Sequence, residues 1–135
     1  MQVDIDELGK RLHAKLDHGI DRLKTVQAHL ESLHKETETT IQAKLSAARE
    51  TLVALKQEAA AGKAALEKFV EDTKVETHAA VAEWKAKRDR QKLEKRSERT
   101  RKYAEASIAV ALCAVQEAEV AVLEAVAARR DVDDI

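Results

Sequence analysis

The chain has 135 residues with no proline, three glycines and one each of Phe, Trp and Tyr, and 36% of its residues are charged. This composition excludes an aromatic-rich core, and the single cysteine excludes an intrachain disulfide. A net charge of −1 indicates no particular partner. We therefore predict one all-α domain over residues 1–135, built from long helices. The acidic start MQVDIDELGKR lacks an apolar segment, which predicts a cytoplasmic protein without a secretory signal.

The first predicted element is one long amphipathic helix over 4–86. Asp4 and Glu7 form a capping-box pattern before the first apolar residue, Ile5. From there the apolar positions keep the same helical phase as far as Trp84, whereas a loop between two helices would usually reset it. The alternative is a compact up-down four-helix bundle with turns near 35–40, Gly62 and 72–77. In that alternative Thr73 and Glu76 would cap a new helix.

The first half of this apolar stripe has no predicted partner within the chain. A long apolar stripe exposed to water indicates an interaction site, and a second copy of the chain is the simplest partner. We predict a dimer contact through six leucines: Leu12, Leu16, Leu23, Leu30, Leu33 and Leu45.

The next segment is strongly basic. Residues 85–102 contain ten basic and three acidic side chains, and we predict a basic turn region at 87–100, where the chain reverses. A continuous charged helix is the alternative. These cations are candidates for binding an anionic nucleic acid or membrane surface. They are Lys85, Lys87, Arg88, Arg90, Lys92, Lys95, Arg96, Arg99, Arg101 and Lys102. A solubilising turn with internal ion pairs is the alternative role.

The last element is an Ala-rich helix over 101–130, followed by a frayed tail at 131–135. Alanines recur at spacings of three and four, which predicts a seam that lets another helix approach closely. The seam consists of Ala104, Ala111, Ala114, Ala118, Ala121 and Ala125. The helix would fold back antiparallel on the segment around 51–84, giving a coiled-coil-like helical hairpin. Acidic residues within it, among them Glu105 and Glu119, argue against a membrane span.

Few side chains indicate chemistry. Glu119 lies among apolar residues, so we predict that a Lys or Arg from the packed helix pairs with it. Glu31 and His34 have the spacing of a carboxylate–histidine metal ligand pair, and Glu119 could join them. A solvated pair on the helix surface is the simpler interpretation. Cys113 is predicted to be a small core residue.

No phosphate-binding loop, nucleophile motif or cofactor motif is present, so we predict no catalytic activity, no cofactor and no small-molecule substrate. The favoured function is that of an elongated homodimer acting as a structural or scaffold protein, with protein partners. The alternatives are a peripheral binder of anionic surfaces through 85–102, an amphipathic coat on a hydrophobic surface, and a metal-binding bundle. In composition the helices resemble apolipoprotein-type and phasin-type helices.

Overall fold

A computed structural model describes residues 5–32 and 35–135, and they form four helices. The helices are α1 (Ile5–Ser32), α2 (Glu38–Thr73), α3 (His78–Ala86) and α4 (Arg90–Asp133). No strand occurs in these two ranges, so the all-α prediction is confirmed.

Helix α4 is the element against which the other three helices pack. Its 44 residues span about 66 Å at ~1.5 Å per residue. α2 runs antiparallel to it, because Ile41 packs in one cluster with Leu123 whereas Phe69, near the other end, stacks on Tyr103 with 4.3 Å between ring centroids. α1 runs parallel to α4, because Arg11 pairs with Glu105 and Arg22, further along α1, pairs with Glu119, further along α4. α1 contributes no fully buried residue.

The uninterrupted helix predicted over 4–86 is wrong, because helices end at Ser32, Thr73 and Ala86. Threonines cap the helices that follow two of these breaks. Thr37 Oγ1 accepts a hydrogen bond from the Thr40 amide at 3.2 Å, and Thr77 Oγ1 accepts one from the Ala80 amide at 3.1 Å. Threonine at this position satisfies an amide that has no partner within the helix.

The chain reversal before α4 is shorter than predicted. It takes only residues 87–89, where Arg88 has a left-handed backbone with φ of 53° and Asp89 caps α4. The rest of the predicted basic turn, from Arg90 onward, is helical. Arg, Lys, Gln and Glu favour helices, and the pair between Arg90 and Glu94 at 2.8 Å supports the first turns.

The alanine seam faces away from α1 and α2, so its prediction as the packing surface within the chain is wrong. Ala104 is half-buried, and five of the seam residues are exposed: Ala111, Ala114, Ala118, Ala121 and Ala125. α4 instead buries Ala106, Cys113, Gln116, Glu119, Val120 and Leu123. Burial of larger side chains such as leucine and valine removes more apolar area from water than burial of alanine does. The larger residues therefore determine which face is covered, and Cys113 is buried as predicted.

By length and composition alone, α4 is also long and apolar enough to cross a membrane. The core helices of water-soluble proteins share this property.

Gly62 marks a close approach of α2 to α4. A Cβ atom at this position would lie 3.0 Å from the Ala106 carbonyl oxygen and 3.4 Å from Val110 Cγ2.

We expect Gly62→Leu to lower the free energy of unfolding by about 2–3 kcal/mol, because the two helices would have to separate. Gly9 is the control: a Cβ there meets nothing within 4 Å, so Gly9→Ala should stabilise by about 0.8 kcal/mol. Urea unfolding measures both, and equal effects would contradict the close approach.

Candidate interaction surface

A buried polar cluster joins α1 to α4. Glu119 and Gln116 of α4 are 4% and 1% exposed. Arg22 of α1 reaches both side chains: its Nη2 lies 2.9 Å from Glu119 Oε2 and also donates to Gln116 Oε1. The prediction that a basic residue pairs with Glu119 is therefore confirmed, and Arg22 is that residue. A buried carboxylate without such a partner would be strongly destabilising.

The same cluster reaches α2. Gln116 Nε2 donates to the Ala48 carbonyl oxygen at 2.9 Å, so one side chain of α4 bonds to both neighbouring helices. His29 of α1 lies on the same side, with its Nδ1 3.6 Å from Glu119 Oε1. Residues of α1, α2 and α4 therefore meet in this polar cluster. Because Arg22 must reach Glu119, the cluster fixes the rotation of α1 about its own axis.

This rotation directs an edge of mixed polarity toward α4. Its half-buried residues are Leu8, Leu12, Lys15, Gly19, Arg22, Thr25, Val26, His29 and Ser32. At Gly19 the helices are close, since a Cβ atom there would lie 2.9 Å from Leu112 Cδ2. The contact edge of α1 therefore includes only part of its apolar residues.

The most apolar face of α1 is left half-exposed. Four large residues at helical spacings of four, three and seven form a continuous ridge, which we call the α1 ridge. Their exposed fractions are 54% for Leu16, 48% for Ile20, 51% for Leu23 and 49% for Leu30. An apolar row of this kind in water indicates an interaction surface.

The ridge contains only part of the predicted dimer stripe. Leu16, Leu23 and Leu30 belong to it, and Leu12 is half-buried. Leu33 lies outside the described residues. Leu45 is buried in the cluster formed by α2 and α4 with Ile41, Ala48, Val120 and Leu123, so its assignment to the dimer stripe is wrong.

The basic segment is divided between paired and unpaired cations. Five of its ten cations pair with carboxylates: Lys87 with Glu83, Arg90 with Glu94, Lys92 with Asp89, Arg99 with Glu76, and Arg101 with Glu98 and Glu105. Arg101 lowers the pKa of Glu98, and Lys87 lowers that of Glu83. The other five are exposed and form no ion pair with another described residue: Lys85, Arg88, Lys95, Arg96 and Lys102.

The metal-site candidates do not form a cluster within the described residues. Glu31 is exposed, His34 lies outside the described residues, and Glu119 bonds to Arg22. In 5–32 and 35–135, no three histidine, cysteine or acidic side chains come together as a set of metal ligands.

Glu36 lies in the connection between α1 and α2 and forms hydrogen bonds with residues of α1, α2 and α4. Its carboxylate accepts hydrogen bonds from Lys44 of α2 and, at 3.1 Å, from Ser32 of α1. Its backbone oxygen accepts a hydrogen bond from Arg130 near the end of α4. The bond from Lys44 lowers the pKa of Glu36 below its ordinary value of 4.5, although burial acts in the opposite direction.

We expect this carboxyl group to contribute to acid unfolding. A lowered pKa in the folded protein stabilises it above the unfolded pKa of 4.5, and that contribution disappears as the pH falls through the lower folded value. Glu36→Gln should therefore be less stable than the unmodified protein at neutral pH, and the difference should shrink below about pH 4.5. Thermal melts at several pH values measure it. A difference between the two proteins that is the same at every pH would contradict this role.

No family model, curated protein or solved structure matches the chain.

Proposed function

We propose that this chain is a structural or interaction protein without catalytic activity, and that it works as a homodimer joined through the α1 ridge. The observation that carries the proposal is the orientation of α1. The edge that carries Arg22 lies against α4, while Leu16, Ile20, Leu23 and Leu30 remain half-exposed.

The burial pattern explains why the ridge needs a partner. α2 buries large apolar residues, such as Ile41 and Leu45, against α4, whereas α1 has no fully buried residue and its ridge stays half-exposed. Turning α1 so that the ridge faced inward would move Arg22 away from the buried Glu119. The chain therefore cannot cover the ridge by rotating α1 without leaving a buried charge unpaired. A second copy covers equal apolar surfaces across a two-fold axis.

Substitutions on the ridge test this proposal. We expect Ile20→Ser with Leu23→Ser to shift the protein from dimer to monomer in sedimentation velocity. Both residues are already about half exposed, so the fold of the single chain should change little. The control pair is Val53→Ser with Val70→Ser on α2, where the valines are 61% and 60% exposed outside the ridge. A dimer that survives the ridge substitutions would refute the proposal, as would loss of the dimer in both variants.

A coat on a hydrophobic surface has less support, because that function needs one long continuous apolar face. Leu45 and Leu52 lie within the contact between α2 and α4, so the apolar stripe of the chain is divided between the core and the α1 ridge.

The five unpaired cations favour a second candidate, binding of an anionic surface. Lys95, Arg96 and Lys102 lie on the first part of α4, and Lys85 and Arg88 lie just before it. Binding of this kind is sensitive to salt and insensitive to sequence. Retention on heparin at low salt that is lost in Lys95→Glu with Lys102→Glu would support it. No retention at low salt would reject it.

A further inference from the structure

The α1 ridge has the spacing of a heptad core. Leu16, Leu23 and Leu30 occupy one of the two core positions, and Ile20 and Gln27 occupy the other. Residues next to the core determine how two such helices pair, because their side chains flank the contact. The two flanks of the ridge are very different from each other.

One flank is apolar and is already used within the chain. It consists of Leu12, Gly19 and Val26, all half-buried, and Gly19 is the point where α1 comes close to Leu112. The other flank carries four exposed charged residues that alternate in sign along the helix: Lys10, Asp17, Lys24 and Glu31.

We propose that the second copy docks on the α1 ridge in antiparallel orientation, in a register set by these four charges. This inference rests on the proposed homodimer. A two-fold axis perpendicular to α1 between residues 20 and 21 places the charged flank of one copy beside the charged flank of the other. Lys10 then lies beside the partner's Glu31, and Asp17 lies beside the partner's Lys24. By symmetry each pair occurs twice, so all four contacts join opposite charges.

The parallel orientation does not use this pattern. Parallel helices would place the charged flank of one copy beside the apolar flank of the other, and that flank is already packed against α4. The four charges would then have no opposite charge across the contact. Within α1, Asp17 has one competing partner, His13, with Nδ1 3.1 Å from Asp17 Oδ2. Both side chains are more than half exposed, so this pair is weak.

Two charge-altered variants test the orientation. The basic variant carries Asp17→Lys and Glu31→Lys, and the acidic variant carries Lys10→Glu and Lys24→Glu. In an antiparallel homodimer of either variant, all four flanking contacts join like charges. We expect each homodimer to weaken by about tenfold or more. An equal mixture of the two variants should form a heterodimer, because every flanking pair is then attractive. About 1 M salt should reduce the difference, since it screens exposed charges.

The matched control carries Asp21→Lys and Glu50→Lys, which change the net charge as the basic variant does but at exposed positions outside the flank. It should dimerise like the unmodified chain. Sedimentation equilibrium of each protein and of the mixture reads out the result. If both variants homodimerise as the unmodified chain does, and mixing them does not strengthen association, the antiparallel register is refuted. That result would leave the homodimer itself unaffected. The homodimer through the ridge would instead be refuted if the unmodified chain is monomeric. It would also be refuted if Ile20→Ser with Leu23→Ser leaves dimerisation unchanged.

Discussion

Replacing Arg22 with methionine is expected to lower the free energy of unfolding by about 3 kcal/mol. The substitution keeps much of the apolar stem of the side chain but removes the charge that faces Glu119, which would then be buried without its cation. The side chain of Glu119 is 6% exposed and that of Arg22 is 27% exposed. Because Arg22 keeps some contact with water, we place the effect at the lower end of the range for a broken buried ion pair. Urea unfolding followed by circular dichroism measures it.

The chain contains a matched control for this substitution. Arg49 of α2 pairs with Glu124 of α4 at the same 2.9 Å, but its side chain is 54% exposed and that of Glu124 is 51% exposed. Arg49→Met should therefore cost under about 1 kcal/mol. Combining Arg22→Met with Glu119→Leu should restore most of the stability, since no buried charge is then left unpaired. If Arg22→Met costs no more than Arg49→Met, the polar cluster does not hold α1 on α4.

Leu123→Ala is the second large effect that we expect, at about 2–5 kcal/mol. Leu123 is fully buried in the contact between α2 and α4, near the start of α2, in one cluster with Ile41, Leu45, Ala48 and Val120. Truncation leaves a cavity that the packed helices refill only in part. The loss should appear as a lower midpoint of urea unfolding with an unchanged slope.

A substitution on the opposite face of α4 provides the comparison. Ala118 is exposed, so Ala118→Leu should change the stability of the single chain by less than about 0.5 kcal/mol. The packing seam predicted from the alanine spacing would instead make this larger side chain destabilising. A large cost for Ala118→Leu together with a small one for Leu123→Ala would show that the alanine face, and not the face with Leu123, packs in the core.

The fold class could be predicted from the sequence because it depends on composition and on the absence of proline, which act at every position. The helix breaks were harder to predict. Thr37 and Thr77 each cap the helix that follows a break, and the apolar positions on the two sides of each break keep the same phase. Gly62 is a predicted break that the structure does not contain. The four-helix-bundle alternative predicts a turn there, yet Gly62 lies within α2, where its lack of a side chain lets α4 come close.

Part of the polar cluster between α1 and α4 could also be predicted. Glu119 was identified as a buried carboxylate that needs a cation, because its sequence neighbours are apolar. Its partner Arg22 could not be identified, since the pairing depends on how α1 and α4 align. The alanine spacing was misleading for the same reason: spacing shows which residues share a face, but not whether that face is covered. Gln116 was missed, and its place as an uncharged polar residue among apolar ones was the available signal.

Hydrogen exchange of α1 at several protein concentrations tests the central claim most directly, because it locates the second copy on the helix. The concentrations should span the transition between dimer and monomer, as established by sedimentation equilibrium. We expect amides of residues 10–31 to exchange more slowly in the dimer than in the monomer, whereas residues 41–52 of α2 should exchange at the same rate in both. Slower exchange in the dimer confined to other helices, with α1 unchanged, would contradict a homodimer formed through the α1 ridge.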